Sequence, residues 1–579
     1  MCFANVRIAI MDAKSFLWHP LRMSLALIIL IAIAVLWLAE RSLEHLTLAA
    51  AALCLCTAML LFVVGDLERA ILLSTIVAAA IFGASRVKYN HSGIKLSATD
   101  LPLAFAGTVP FLLVQYPLAL TAALAGSITL MLAAVATLIY VRGPPVPFEL
   151  QILFFGVASI GLMAAYKASG GPATFQRNAA LRRCFLSSFI ASLLNPLSWR
   201  PSGGLALSDI AKDPLPLMAA VPARSLDYPD IIVIQHESIF DPRLFGLPVE
   251  PIVESFLSPQ DGLHGSLNVD IFGGGSWQSE FSLLTGLSSA SFGSNAYFLF
   301  KRGAGRFHSS LPGTLSALGY RTMLTSSCRR SFLSYDRFYR SIGINERLFT
   351  DDLEPPFDVD RFEATHSDAL FLDAALDAHM KGMADDAAPR FLYALTNFNH
   401  GPHNRNLVAP GRFEGERAFA AASLPDAHYA EYYARLVETA VTWNKLKAEL
   451  SLRFPKRPTL IVHYGDHQPV MTRRIEKRLK LGPDARRQFR TFYAMETLND
   501  YPDRIPRGRG PDLDIAFLGT VALQHAGLPL DEIFATRASL LEQCGGAYFA
   551  SSSERKRRFH RTLVDLGVID VAPAVRYQR

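Results

Sequence analysis

The sequence predicts two bodies: an α-helical transmembrane domain of about five spans, then an α/β domain built on a largely parallel sheet. Three observations carry this. The chain has 579 residues, 50% of them hydrophobic, and a mean hydropathy of +0.22, which is too long for one ordinary core and too apolar for a wholly soluble protein. The long unbroken apolar runs all fall before residue 166. From Asp230 onward, short β-branched runs alternate with helical periodicity, the texture of βαβ units. The expected division is 1–170 transmembrane, 171–228 juxtamembrane linker and 229–579 the α/β domain.

Residues 1–20 are polar and mildly basic, and 21–38 is then an apolar run of spanning length. It is too long for a signal-peptide core and further runs follow it, so it reads as a retained anchor. Runs 46–64, 70–84, 119–141 and 148–165 continue the pattern. Segment 101–116 is interrupted by Pro102, Gly107, Pro110 and Gln115, and its composition alone suits a span, a re-entrant loop or an interfacial segment. That segment decides on which side the carboxyl-terminal half lies. Counting positive charge does not decide it, because Arg7 and Lys14 favour an inside start while Arg86, Lys88 and Lys95 then fall outside.

In the second half, 231–235, 320–325, 390–396 and 459–464 read as strands, and 369–379, 427–450 and 513–525 as helices. The formal charge of +6 is modest and the basic residues are not interleaved with aromatics, so a nucleic-acid platform is excluded. Six cysteines without a CxxC pair imply neither a zinc knuckle nor a disulfide framework, although Cys328 and Cys544 are free to pair in an oxidising compartment.

The chemistry is expected where strands end. The run Asp230-Ile-Ile-Val-Ile-Gln-His-Glu237 is a buried strand closing on a carboxylate, where open α/β sheets place their ligands. Gly273-Gly274-Gly275-Ser276 lets backbone approach a ligand closely and presents a hydroxyl at a helix start, either as a cap or as a nucleophile. After the apolar strand 459–462, His463-Tyr464-Gly465-Asp466-His467 sets a carboxylate beside an imidazole, a pair that suits a divalent metal and also fits a polar turn. His236 alternates away from Glu237 and is expected to pack, as is His463. The basic residues between Arg473 and Arg490 read as a solvated face or as a surface for anionic head groups.

Taken in order, these motifs resemble the lipoteichoic acid synthase type of the alkaline phosphatase and sulfatase superfamily. The matching residues are Glu237-Ser238, Ser276 ahead of Glu280-Phe281, Asn399-His400, and Tyr464-Gly465-Asp466-His467. The resemblance implies a sulfatase-like α/β fold, and metal ligation by Glu237, Ser276, Asp466 and His467, with Ser276 also the nucleophile and His400 a substrate-contacting histidine. It extends to five spans before an extracytoplasmic domain, so 101–116 is expected not to cross and the protein to be a multi-pass component of a bacterial inner membrane. One divalent ion is implied, and Mn²⁺, Zn²⁺ and Mg²⁺ all accept such ligands.

The sequence departs from the pattern at two points. Ser276 replaces the more usual Thr, keeping the oxygen. Leu333 and Tyr335 stand where the synthases carry a Trp and an Arg that hold glycerol phosphate; Arg329, Arg330 and Arg337 are nearby cations that either substitute for them or sit on a solvated loop, and His403, three residues past His400, is a further substrate-binding candidate. Formylglycine chemistry is excluded, because Ser276-Trp277-Gln278-Ser279-Glu280 lacks the Pro and Arg of the sulfatase signature. The reaction expected is transfer of a phosphoglycerol-type head group from a phospholipid donor to a glycan or glycolipid acceptor, such as a periplasmic glucan. The alternatives are phosphoethanolamine transfer to a glycan or lipid A-like acceptor, and a non-catalytic membrane-anchored protein that binds glycan or lipid with a degenerate phosphatase-like domain.

Overall fold

The computed structural model describes residues 24–571, except 41, 93–94, 101–116, 170–183, 195–204, 206, 208–209, 225–226, 331–333, 353–366, 382–385, 483, 485, 500, 502–504 and 549–553. It divides into two compact units, Met1–Arg200 and Pro201–Arg579.

The first unit is helical: α1 (Leu25–Ala39), α2 (Leu43–Val64), α3 (Leu67–Ser92), α4 (Pro117–Tyr140), α5 (Phe148–Ala168) and the short α6 (Phe185–Leu194). Helices α2 to α5 are long and apolar enough to cross a membrane, and α1 is a shorter apolar helix that begins at the edge of the described residues. Their apolar side chains face outward, with Leu30, Trp37, Val63 and Ile160 at 61%, 62%, 80% and 73% exposure, the inverse of a soluble bundle. Segment 101–116, on which the count of crossings turns, lies outside the described residues. Inside the bundle, the buried Thr57 and Ser74 hydroxyls pair at 2.7 Å between α2 and α3. Glu40 closes the amino end of α6, accepting from Leu186 N at 2.7 Å, Ser187 N at 3.0 Å and Ser187 Oγ at 2.7 Å, where a carboxylate meets free N–H groups and the positive end of the helix dipole.

The second unit is a nine-stranded mixed sheet between helical layers. Its strands are β1 (Asp230–His236), β2 (Leu263–Asn268), β3 (Arg321–Ser326), β4 (Glu346–Phe349), β5 (Arg390–Leu395), β6 (Thr459–Gly465), β7 (Arg490–Leu498), β8 (Gly508–Arg509) and β9 (Leu513–Asp514). The order is β4-β3-β5-β1-β6-β7-β2-β8, with β9 also on β2. Strands β4, β3, β5, β1 and β6 run parallel, and β7 turns the sheet antiparallel against both β6 and β2. β1 is buried along its whole length because both faces are covered. Ile231 and Val233 enter one core, which includes α7 (Trp277–Thr285) and a C-terminal helix at Ile515–His525. Ile232 and Ile234 enter the other, dominated by α8 (Asp368–Met380) and the long α9 (Ala427–Arg453). The predicted strands and helices are all present; β2, β4, β7, β8 and β9 are additional, and β9 takes the first two residues of the predicted helix 513–525.

Candidate active site

The site is built by the two central strands. In the parallel register His236 pairs with Gly465, so the next residues, Glu237 and Asp466, leave neighbouring strands at the same level, and Asp466 N continues the ladder to His236 O at 3.2 Å. Gly465 is required by the close approach of the Ile239 backbone: a Cβ there would lie 1.9 Å from Ile239 O.

Facing these residues is the glycine loop. Gly273, Gly274 and Gly275 have φ of 80°, 148° and 95°, a run that side chains with a Cβ rarely adopt. The loop is tied to the β6 end by Gly273 N donating to Gln468 O at 2.9 Å, and Ser279 Oγ donates to Asp466 O at 2.7 Å. It delivers Ser276 to the start of α7, but the Ser276 side chain makes no capping hydrogen bond. Its hydroxyl donates instead to Glu237 Oε2 at 2.8 Å and lies 3.4 Å from His467 Nε2.

Glu237, Asp466 and His467 are 5%, 0% and 2% exposed, and one donor atom from each lies within 4.8 Å of the others. Asp466 Oδ1 accepts the Ser238 and His467 backbone N–H groups, both at 2.7 Å, whereas its buried Oδ2 accepts no hydrogen bond among the described residues. His467 Nδ1 lies 3.2 Å from Gln468 O; in the neutral ring, a proton donated there leaves Nε2 with its lone pair toward the carboxylates. An orphaned buried carboxylate oxygen and a bare imidazole nitrogen, converging with a second carboxylate, fit a divalent cation. Burial raises Asp466, and the Glu237 charge raises it further. Burial also works against the Glu237 charge, but the His467 ring, His400 and the Ser238 hydroxyl together outweigh it and hold that carboxyl below its ordinary range. His467 is pulled down by burial and pushed up more strongly by Asp466 and Glu237, to about 9.

The remaining candidates are distributed as follows. His400 is half-buried, its Nδ1 2.6 Å from Gly401 O, and its charge acts on Glu237. His403 is 3% exposed, bonded through Nε2 to Asn399 O at 2.9 Å and packed edge-on against Tyr432, so its ring supports the His400 loop from behind. Arg329 is half-buried and Arg337 exposed. Leu333 lies outside the described residues, and the Tyr335 hydroxyl is bonded to Glu280 Oε1 at 3.3 Å in the core. His236 and His463 face the opposite side of the sheet, both 0% exposed, with His463 stacked 3.9 Å from Trp443. Burial pushes His236 down to about 3. Cys328 and Cys544 are not joined by a disulfide. In the basic run, Arg474 and Arg478 both pair with Asp426, Arg487 with Glu476 and Arg490 with Asp484, while Arg473 stacks 4.5 Å over Phe272, next to the glycine loop.

Sequence reasoning did not find the polar network beneath the site. Glu280, 1% exposed and one turn along from Ser276, accepts from Tyr335, Tyr339 and Gln235, and Gln235 Oε1 in turn accepts from Tyr393 at 3.1 Å and Tyr464 at 2.5 Å. Burial raises Glu280 to about 8. The Glu280-Phe281 pair marked one member, but its tyrosine partners are far away in the chain.

The family model described as Sulfatase matches residues 229–494, the stretch from β1 into β7 that contains Glu237, Ser276, His400, Asp466 and His467. This stretch, a little under half of the chain, is similar to the sulfatase family. Within known proteins, an uncharacterized protein of Haemophilus influenzae is 26% identical over 318 residues, 53% of this chain and 55% of that one; the match thus spans about half of the relative's length. Among solved structures, the phosphoglycerol transferase GacH of Streptococcus pyogenes, in complex with sn-glycerol-1-phosphate, is similar at 17% identity and a TM-score of 0.44, over 60% of this chain and 87% of that one. The lipoteichoic acid synthase LtaP of Listeria monocytogenes is similar at 14% identity and a TM-score of 0.41, over 53% and 76%.

Proposed function

We propose that this chain is a membrane-bound phosphotransferase. In this reading it moves a phosphoglycerol-type head group from a phospholipid to a hydroxyl of a periplasmic or cell-surface glycan or glycolipid, through a covalent phosphoserine at Ser276. The observation that carries the reading is the Ser276 hydroxyl, free of its own helix and hydrogen-bonded at 2.8 Å to a buried cluster of two carboxylates and an imidazole. Helices long and apolar enough to cross a membrane support a lipid donor, and the proposed acceptor requires the domain to face the periplasmic side of a bacterial inner membrane.

Glu237, Asp466 and His467, with Ser276 Oγ beside them, would hold one divalent cation. Such an ion supplies Lewis-acid neutralisation of charge on oxygen. Glu237 Oε2 holds the Ser276 proton and so fixes the rotamer of the hydroxyl. In the first half-reaction Ser276 Oγ bonds to phosphorus, the bond from phosphorus to the diacylglycerol oxygen breaks, and the Ser276 proton passes to Glu237. His400, as an imidazolium, gives its proton to the departing oxygen. In the second half the acceptor hydroxyl loses its proton to His400 as it bonds to phosphorus, and Ser276 Oγ leaves, recovering its proton from Glu237.

Purified protein given head-group-labelled phosphatidylglycerol or phosphatidylethanolamine tests this. Wild type should release diacylglycerol from one of the two lipids, and which one separates phosphoglycerol from phosphoethanolamine transfer. Ser276→Ala should abolish the release while remaining folded. Equal rates in the variant would remove the covalent mechanism. A protein that binds no metal and turns over neither lipid would instead be the membrane-anchored binding module, a reading that the complete donor set opposes.

A further inference from the structure

Between β5 and the helices that follow it, residues 396–413 form no helix or strand, yet they carry His400. Such a loop keeps a fixed shape only if its backbone groups find partners elsewhere. They find them on α9, where Glu431, Arg435 and Thr439 stand at i, i+4 and i+8 on one face, at 1%, 0% and 1% exposure.

Arg435 is the centre of this stripe. Its Nη1 donates to His400 O at 3.0 Å and to Phe398 O at 3.4 Å, its Nη2 to Arg405 O at 2.8 Å, and its Nε to Glu431 Oε1 at 2.9 Å. Glu431 completes the clamp by accepting Leu407 N at 2.8 Å and pairing with Arg417 at 2.5 Å. Thr439 holds the other side: its hydroxyl accepts from Asn399 Nδ2 at 2.9 Å and donates to Asp368 Oδ2 at 3.0 Å, while Asp368 Oδ1 accepts Phe398 N at 3.3 Å. The loop is thus pinned on both sides of His400 and at its own carbonyl.

A fully buried guanidinium is costly unless every N–H has a use, and covering the sheet would need only an apolar side chain here. What the planar fork provides is a set of diverging donors from one fixed position, which a lysine ammonium cannot reproduce. We propose that Arg435 is the positioning residue of the site: through three carbonyls of the 396–413 loop it fixes where His400 stands relative to Glu237 and Ser276. The proposal rests on the reading of His400 as a substrate-contacting group.

The test uses the full-length protein in lipid and the variants Arg435→Lys, His400→Ala and the double variant. Amide exchange over 397–408 should accelerate by about tenfold or more in Arg435→Lys, while the β1 and β6 amides keep their wild-type protection. With labelled phosphatidylglycerol, kcat should fall by about tenfold or more and KM by much less, and the double variant should be no slower than His400→Ala alone. Unchanged exchange over the loop, or losses that multiply in the double variant, would overturn the proposal. Should Arg435→Lys not fold, Thr439→Val removes one hydroxyl from the same clamp and is judged by the same two readouts. A wild type that turns over neither phosphatidylglycerol nor phosphatidylethanolamine would sink the proposed reaction instead, and loop exchange alone would then decide whether Arg435 is the clamp.

Discussion

Ser276 Oγ and Glu237 Oε2 are 2.8 Å apart, although the two residues lie 39 positions apart in sequence, and this bond replaces the capping bond that a serine at a helix start ordinarily makes. The hydroxyl is thereby committed to the carboxylate cluster rather than to its own helix. Each prediction below follows from how that cluster is held.

Gly465 lets β6 pass under the Ile239 carbonyl, so Gly465→Ala forces backbone to move directly before Asp466. The expected cost is about 2–4 kcal/mol, together with weaker metal binding. Thermal denaturation and metal content after dialysis check both; an unchanged melting temperature would mean that the strand ends relax freely.

Ligation needs a neutral His467, whose imidazolium the two carboxylates stabilise up to about pH 9 in the metal-free protein. Metal binding should therefore displace a proton, and its affinity should rise with pH through that range. The stability of the chelator-treated protein has the opposite trend. The contribution of His467 is complete below its ordinary 6.5 and is lost as pH rises through about 9. Calorimetric titration in buffers of different ionisation enthalpy measures the first trend, and denaturant melts with chelator the second. Chelation should also remove transfer activity.

His463 lies on the far side of the sheet with both ring nitrogens unpartnered among the described residues. His463→Phe should keep stability within about 1.5 kcal/mol and leave metal content unchanged, because the site is an aromatic cluster with Trp443 and Phe256. Loss of metal in this variant would assign His463 to the metal site.

A reporter that is active only after export, fused behind Arg579, should be active if residues 229–579 face the periplasm. Activity from a cytoplasm-dependent reporter would mean an even number of crossings, and the extracytoplasmic acceptor would go with it.

The sequence carried the fold unevenly. Strands β1, β3, β5 and β6 were legible because they are central and buried, so they read as apolar runs. β2 was not, since Leu263-His-Gly-Ser-Leu-Asn268 buries little and contains a glycine, and β7 begins inside the basic run and ends among polar residues. Glu237, Ser276, Asp466 and His467 stood out because each follows a strand or a glycine run. Arg435 did not stand out, because a glutamate and an arginine four apart on a long helix read as a surface pair. The 396–413 loop and Arg417 pack over that face, and both residues are buried. Glu280 was visible as a motif residue, but its tyrosine partners become neighbours only when α7 meets the helix at Tyr335–Ser341.

The most direct test of the account is mass spectrometry of the protein incubated with its phospholipid donor, without acceptor, and quenched in acid. The account predicts a phosphoglycerol or phosphoethanolamine adduct on the peptide containing Ser276, absent from Ser276→Ala and after chelation. Transfer that proceeds while Ser276 stays unmodified, with Ser276→Ala turning over head group at the wild-type rate, would contradict it.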